Sequence, residues 1–414
     1  MRKIKIMLLS DSVLTPTGFA NITRELCKRL SQMPEFEVYH VAWNSNGVNL
    51  VPPIKTGDLG ATEDLNFTIL SGGRKPYAED VLPEYFAKYQ PDIFWVLLDS
   101  FMLYPWIIPM SFAPAKSIMY YPSDGNYFPT GCENVLKKFD VPVAMSKFAQ
   151  NQLTDGYNVM SEYIPHATNP NLFYPMSTEE KRKCKADFGI PEDAFVFGDV
   201  TRNQGRKMVG LEVMAFGEFM KRNPDANAYL LLWTDFQDQA GHSDLMNLAR
   251  RYNVEHRILG KGAMKFYQGA PTSKMNSIYN AMDVKISTST GEGFGITTIE
   301  AMAAEIPIIM TDYTTTAELL DYPYAAPSAQ QELQIGKCGI GVPIAAEIPG
   351  TWDVYRGFVN LEEFVDAMKM LYNQADTRKQ MGAAGRQRVL DNYTWDGDKG
   401  IINKWVALFK KMVE

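Results

Sequence analysis

Two carboxylates eight residues apart, Glu292 and Glu300, bracket a glycine loop and the helix it opens. The stretch from Asp283 to Asp312 reads as strand, loop, helix, strand. Val284 to Ser287 is a short apolar run, Thr288 to Gly295 is small and polar, and Ile296 to Ala304 sets Ile296, Ile299, Met302 and Ala303 on or near one face. Pro307 ends that helix, and Ile306 to Met310 reads as a buried strand. A glycine loop opening a helix offers free backbone N–H groups and the positive end of the helix dipole, which suits a phosphate or an anionic leaving group. Acids beside an anion site are unfavourable for the anion, so Glu292 and Glu300 need another task. An ionised carboxylate accepts two hydrogen bonds from a sugar diol, and hydroxyl-rich groups fit that task.

A cationic cluster stands upstream. Ala194 to Val200 reads as a strand, and Arg202, Arg206 and Lys207 lie between it and a helix from about Gly210 to Arg222. Side-chain donors added to helix-terminus amides make an anion site, although a solvated basic loop has the same composition. Near the N-terminus, Lys3 to Leu9 reads as a first buried strand. The loop after it ends in Thr17-Gly18, and Phe19 to Leu30 follows as a helix. A dinucleotide site would place G-x-G-x-x-G after that strand, and only Gly18 is present. Asp124 follows the strand Lys116 to Tyr121 in the run Pro122-Ser123-Asp124-Gly125, where it is either a site residue or the cap of an Asp-Gly turn.

Taken together, Glu292-Gly293-Phe294-Gly295, four residues, then Glu300-Ala301-Met302-Ala303 resembles the E-x7-E signature of retaining GT-B glycosyltransferases of the family 4 type. The resemblance implies that Glu292 lies by the donor sugar and that Glu300 binds the ribose hydroxyls. It also implies that the amides of Gly293, Phe294, Gly295, Ile296 and Thr297 face the sugar and diphosphate. Arg202 and Lys207 fall at the spacing of the family's diphosphate clamp, with Arg206 an extra cation expected to be solvated. Thr17 and Gly18 match the family's first loop, where a glycine approaches the diphosphate. Where the family often has His-Asp near the reacting carbon, this chain has Ser123-Asp124. Asp124 is thereby a candidate on the acceptor side. The run Ser161 to Phe173 resembles the family's strand and loop at the end of the first domain. The nucleobase is expected near Lys261 and Gly262, and Glu318 reads as a helix-start residue.

The implied architecture is α/β: two Rossmann-like domains whose parallel sheets face one another across a cleft. The expected division is 1–176 for the acceptor side and 177–397 for the donor side. The terminal helix, within 398–414 and striped with Ile401, Trp405, Leu408 and Met412, returns to the first domain. Length agrees, since 414 residues exceed one comfortable core. A net charge of −7 gives no support for a nucleic-acid partner. The four cysteines are far apart with no CxxC, and the four histidines show no metal spacing. Asp396-Gly397-Asp398 reads as a turn between helices rather than a metal pair, and no metal or cofactor is expected. The N-terminus lacks a signal-peptide pattern and no stretch is long enough to span a membrane, so a cytoplasmic setting is expected.

The expected reaction is transfer of a sugar from a nucleotide diphosphate sugar to a hydroxyl acceptor with retention, UDP-sugars favoured and GDP-sugars next. The alternative is a non-catalytic nucleotide-sugar-binding protein of the same fold. A glycoside hydrolase would also use two carboxylates but needs no diphosphate clamp. Asn44 to Asp64 reads as a long polar loop, and Phe101 to Trp106 has no assigned role. Tyr120, Tyr121, Tyr127 and Phe128 around Asp124 suit either stacking or core.

Overall fold

The computed structural model describes residues 2–45, 47–54, 64–260, 270, 272–325 and 332–414. In the first half, apolar runs separated by helices give β1 (Ile4–Ser10), β2 (Phe36–Ala42), β3 (Thr68–Ser71), β4 (Ile93–Leu97), β5 (Lys116–Tyr121), β6 (Val141–Ala144) and β7 (Glu162–Tyr163). They form one parallel sheet in the order β3-β2-β1-β4-β5-β6-β7. Every residue of β4 is buried, as a strand covered on both faces by helices must be. The second half supplies β8 (Phe195–Val200), β9 (Ala228–Trp233), β10 (Ile258–Leu259), β11 (Val284–Ser287), β12 (Ile308–Thr311), β13 (Gln334–Ile335) and β14 (Gly339–Val342). Their order is β10-β9-β8-β11-β12-β14-β13, with β13 and β14 antiparallel and the other pairs parallel.

In each sheet the strand order reverses once, between β1 and β4 and again between β8 and β11. Loops leaving two such strands diverge to opposite faces and open a crevice at the carboxyl ends. The loops at the two crevices carry Asp11 to Thr17, Asp99, Arg202 to Lys207 and Thr288 to Gly295.

The chain crosses between the sheets twice, after β7 and again over residues 393–400. The crossings lie side by side, with Thr168 N–H donating to the Tyr393 carbonyl at 2.8 Å. Beyond the second crossing, the helix Ile401–Val413 returns to the first sheet. The Trp405 ring lies 5.7 Å from Trp95 and 5.0 Å from Tyr120, and Phe409 lies 6.3 Å from Phe36. Asp396, expected only in a turn, also pairs with Arg29 at 2.7 Å and fastens this return.

Several expectations need correction. Val342-Pro343 reads from sequence as a final strand, but it is not the last one. An antiparallel hairpin follows, β15 (Ile344–Pro349) and β16 (Tyr355–Val359). The segment from Phe101 is a helix, Ser100–Ile107, with Pro105 inside it. The polar stretch from Pro175 to Lys185, in part helical by sequence, leads into the helix Thr178–Asp187 with a full capping box of Ser177 and Glu180. Tyr120, Tyr121 and Phe128 are core residues, whereas Tyr127 is exposed. Lys261 and Gly262 lie outside the described residues, as does much of the Asn44 to Asp64 loop.

Candidate active site

A cavity of about 1170 Å³ lies between the two sheets, at the carboxyl ends of their strands. Its wall includes Thr17, Gly18 and Asp124 from the first half, and Arg202, Lys207, Glu292, Gly293, Phe294, Gly295, Ile296, Thr297 and Glu300 from the second. The residues singled out from sequence therefore share one cavity, although they do not all point to the same partner.

The centre of the site is an ionic cluster. Lys207 Nζ lies 2.5 Å from Glu292 Oε1, and Arg206 Nη1 lies 3.4 Å from Glu292 Oε2. Arg206 also places its Nε 3.0 Å from Asp124 Oδ2, across the cleft. Burial pushes the Glu292 carboxyl up, but Lys207 and Arg206 outweigh burial and bring it down to about 2. Burial lowers the Lys207 ammonium, with Glu292 opposing. Arg206, expected to be solvated, is instead the cation that joins Glu292 to Asp124. Burial disfavours its charge, yet Asp124 and Glu292 together hold its pKa above the ordinary value. Arg202 lines the cavity but its guanidinium is engaged by Asp238, with Nε 2.7 Å from Oδ2. Arg202 and Lys207 thus neutralise different acids in this structure.

Threonines fix the loops that carry these groups. Thr290 N–H and Oγ1 both donate to the Arg206 carbonyl, at 2.9 and 3.0 Å, and Thr288 Oγ1 donates to Met208 O at 2.9 Å. Thr314 Oγ1 accepts from Glu292 N–H at 3.0 Å, and Thr315 Oγ1 donates to the Phe294 carbonyl at 2.9 Å. The Phe294 ring is buried between His166, at 5.0 Å, and Tyr393, at 5.6 Å, so the ring belongs to the core. Gly295 has φ +107°, a left-handed entry to the helix Ile296–Ala303 that favours glycine. At Gly291 a Cβ would overlap the Asp124 carbonyl oxygen, so the approach of the two halves requires glycine there. Thr17 caps the helix Gly18–Gln32, accepting from Ala20 N–H at 3.1 Å and donating to Asp11 at 2.5 Å. Gly18 has neither a positive φ nor a clash to forbid a side chain, and it faces Ile296 across the cleft.

Asp124 does more than cap a turn. Arg356, from β16, sits 2.8 Å from Asp124 Oδ1 and also donates to its backbone carbonyl. Ser123 directs its hydroxyl to Gln152, at 2.6 Å. Glu318 sits in the first turn of a helix, as read, but it also accepts from Lys147 N–H at 2.7 Å and from the Tyr163 hydroxyl in the first half.

Three charged residues escaped the sequence reading. Arg356 was hidden because its hairpin was not recognised. Asp11 and Asp99 follow β1 and β4 at the switch point, and that position could have marked them. Asp99 lines the cavity, where burial, and after it Asp124, raise its carboxyl to about 7. Among the described residues, no three His, Cys, Asp or Glu side chains gather as a metal would require. No described helix is long and apolar enough to cross a membrane.

Glu300 accepts a hydrogen bond from the Tyr279 hydroxyl at 2.6 Å. Burial outweighs that bond and raises its carboxyl from 4.5 to about 7. The folded state therefore holds the protonated form more readily than the unfolded chain does. That stabilisation is complete below pH 4.5 and is lost as pH rises through 7. Glu300→Gln removes the cost of ionisation. It is expected to be more stable than the parent at pH 8 by on the order of 2 kcal/mol, and close to equal near pH 4.5. Urea denaturation at the two pH values checks this, and an equal difference at both would refute it.

The two facing sheets and their cleft define a GT-B fold. Residues 181–322 match the family model of the glycosyl transferases group 1. A D-inositol 3-phosphate glycosyltransferase of Corynebacterium diphtheriae is 25% identical over 272 residues, 64% of this chain and 55% of that protein. The chain thus matches little more than half the length of that curated relative. Among solved structures, sucrose-phosphate synthase from Thermosynechococcus elongatus superposes with a TM-score of 0.71 at 18% identity, over 99% of both chains. Anabaena HepE in complex with UDP and glucose gives 0.70 at 15% identity, again over 99% of both. At such identities the structural likeness speaks for the fold.

Proposed function

We propose that this chain is a retaining, metal-independent glycosyltransferase. It moves a sugar from a nucleotide diphosphate sugar to a hydroxyl acceptor, with UDP-sugars favoured and GDP-sugars next. One observation carries the reading: Lys207 and Arg206, on the loop leaving β8, converge with Glu292 on the loop leaving β11, inside a cleft closed by the first sheet. Lys207 and Arg202 hold the diphosphate, aided by the loop amides from Gly293 to Thr297 and by the Thr17-Gly18 turn. Glu300 binds the ribose and Glu292 the sugar, while Asp124 lies on the acceptor side. The relative from Corynebacterium, a glycosyltransferase by name, and the solved UDP complex of HepE support this choice of donor.

In the transfer, the bond from the anomeric carbon to the diphosphate oxygen breaks as the acceptor oxygen bonds to that carbon on the same face. The acceptor proton passes to the departing diphosphate, so no side chain serves as nucleophile. Negative charge grows on the diphosphate as it leaves. Fixed cations therefore stabilise the transition state more than the ground state, which is the work a metal would otherwise do.

Calorimetric titration with UDP, GDP and ADP in the presence of EDTA tests the donor site. One diphosphate is expected to bind, with at least about tenfold weaker binding to an Arg202→Ala/Lys207→Ala variant, the order expected when hydrogen bonds to a charged group are lost. Binding to none of the three, or equal binding to the variant, would overturn the assignment. Tight binding with no sugar released from the donor, acceptor present or absent, would favour the non-catalytic reading.

A further inference from the structure

The hairpin β15–β16 ends in a turn that its own sequence does not explain. Val354 N–H donates to the Thr351 carbonyl at 3.3 Å, and the two residues between, Trp352 and Asp353, have φ +61° and +58°. That is a type I′ turn, which favours Asn-Gly because both positions are left-handed. A bulky Trp in this conformation is strained, and such strain persists where surrounding contacts hold it. The contacts are visible. Trp352 stacks on Phe101 of the first half, with centroids 6.0 Å apart and planes 22° apart, yet stays 41% exposed. Thr130 holds the turn from the other side, its N–H donating to the Trp352 carbonyl at 3.2 Å and its Oγ1 bonded to Asp353 at 3.0 Å.

Both rings line the cavity, beside a first-half wall that is acidic. Asp11, Glu25, Asp99 and Asp124 line it against one cation, Arg24, among the described residues. Arg24 is engaged by the Val13 carbonyl at 2.8 Å and by Asn21. Arg356, arriving with the hairpin, is turned onto Asp124. Glu25 is answered by Arg29, and Asp124 by Arg206 and Arg356, but Asp11 and Asp99 carry no ion pair among the described residues, and an anionic group beside those two would meet like charge. A neutral ring with C–H groups on one face and hydroxyls at its edge meets a stacking surface and carboxylate acceptors.

We propose that the hairpin builds an acceptor subsite for an uncharged saccharide ring, with Trp352 and Phe101 as the stacking platform and the carboxyl groups of Asp99 and of Asp11, whose two oxygens also accept from Thr17 and Trp43, as hydrogen-bond partners for its hydroxyls. The proposal rests on the glycosyltransferase reading, and names the class of acceptor for it. The hairpin thereby makes the subsite composite, since neither half carries both rings.

Saturation-transfer NMR on the full chain with UDP present, using maltose and glucose 6-phosphate as probes, tests this. Maltose is expected to show ring-proton transfer and to bind at least about tenfold more tightly than the phosphate ester. Trp352→Asn suits the I′ turn better than Trp, so it should fold with an unchanged or higher melting temperature. It is nevertheless expected to lose at least about tenfold in maltose affinity, while Trp352→Phe stays within about threefold. Maltose binding no better than the phosphate ester, or unaltered by Trp352→Asn, would overturn the proposal. A failure of UDP to bind counts against the donor reading instead. The maltose comparison is then made on the unliganded chain and decides the subsite by the same criterion.

Discussion

Lys207→Ala is expected to lower kcat/KM for the donor by about 10³-fold, the scale found when one fixed donor to a developing anion is removed. The reason lies in how Lys207 is held. Its ammonium is 2.5 Å from Glu292, in a cluster whose side chains are largely withdrawn from water. On the function proposed above, a diphosphate entering this loop becomes the counter-ion of Lys207, which frees Glu292 to accept from sugar hydroxyls. Without Lys207, only Arg206 opposes the Glu292 carboxylate within the cluster, and the diphosphate meets an acid beside it. Steady-state kinetics with the donor found by titration checks this, and a loss under about threefold would remove Lys207 from the reaction.

Lys285→Met is expected to cost about 3–5 kcal/mol of stability, the largest effect on folding proposed for this chain. Lys285 on β11 reaches Asp199 on β8 at 2.5 Å, and both side chains are 2% exposed. Glu212 stands beside them, held far above the carboxylate range by burial and then by Asp199. Removing the lysine leaves Asp199 charged and buried next to another acid. Replacing Asp199 as well, in Lys285→Met/Asp199→Leu, should restore most of the stability, since an apolar pair leaves no charge behind. Chemical denaturation of the three proteins decides it. Equal stability of parent and Lys285→Met would show that this pair does not support the floor beneath the site loops.

Much of the fold was legible because buried parallel strands announce themselves. Ile93 to Leu97 is apolar throughout, and β1 and β8 are largely so. The terminal helix was legible from the stripe of Ile401, Trp405 and Leu408, all buried in the structure, whereas its return to the first sheet was implied only by the family resemblance. The hairpin was not. Its turn, Thr351-Trp352-Asp353-Val354, lacks the glycine or asparagine that marks such turns, and β15 and β16 are mixed rather than cleanly alternating. Arg356 was lost with it. The site was legible where loop chemistry is local, as at Glu292 to Gly295. Pairings between distant residues were not, and Arg206 illustrates why. Its partners Asp124 and Glu292 are 82 residues before it and 86 after it, and no local pattern connects them.

The twin crossings between the sheets also limit how the halves can move. Two bodies joined at a single point can tilt about three axes, but bodies joined along a line can only swing about it. Here the line is short, with Thr168 bonded to Tyr393 where the two segments pass. Opening of the cleft is thereby reduced to nearly one coordinate. Along that coordinate the same swing that admits a ligand also separates Asp124 from Arg206 and Arg356. A swing that widens the cleft would part these ion pairs, so salt in the solvent weakens one of the holds on the closed arrangement.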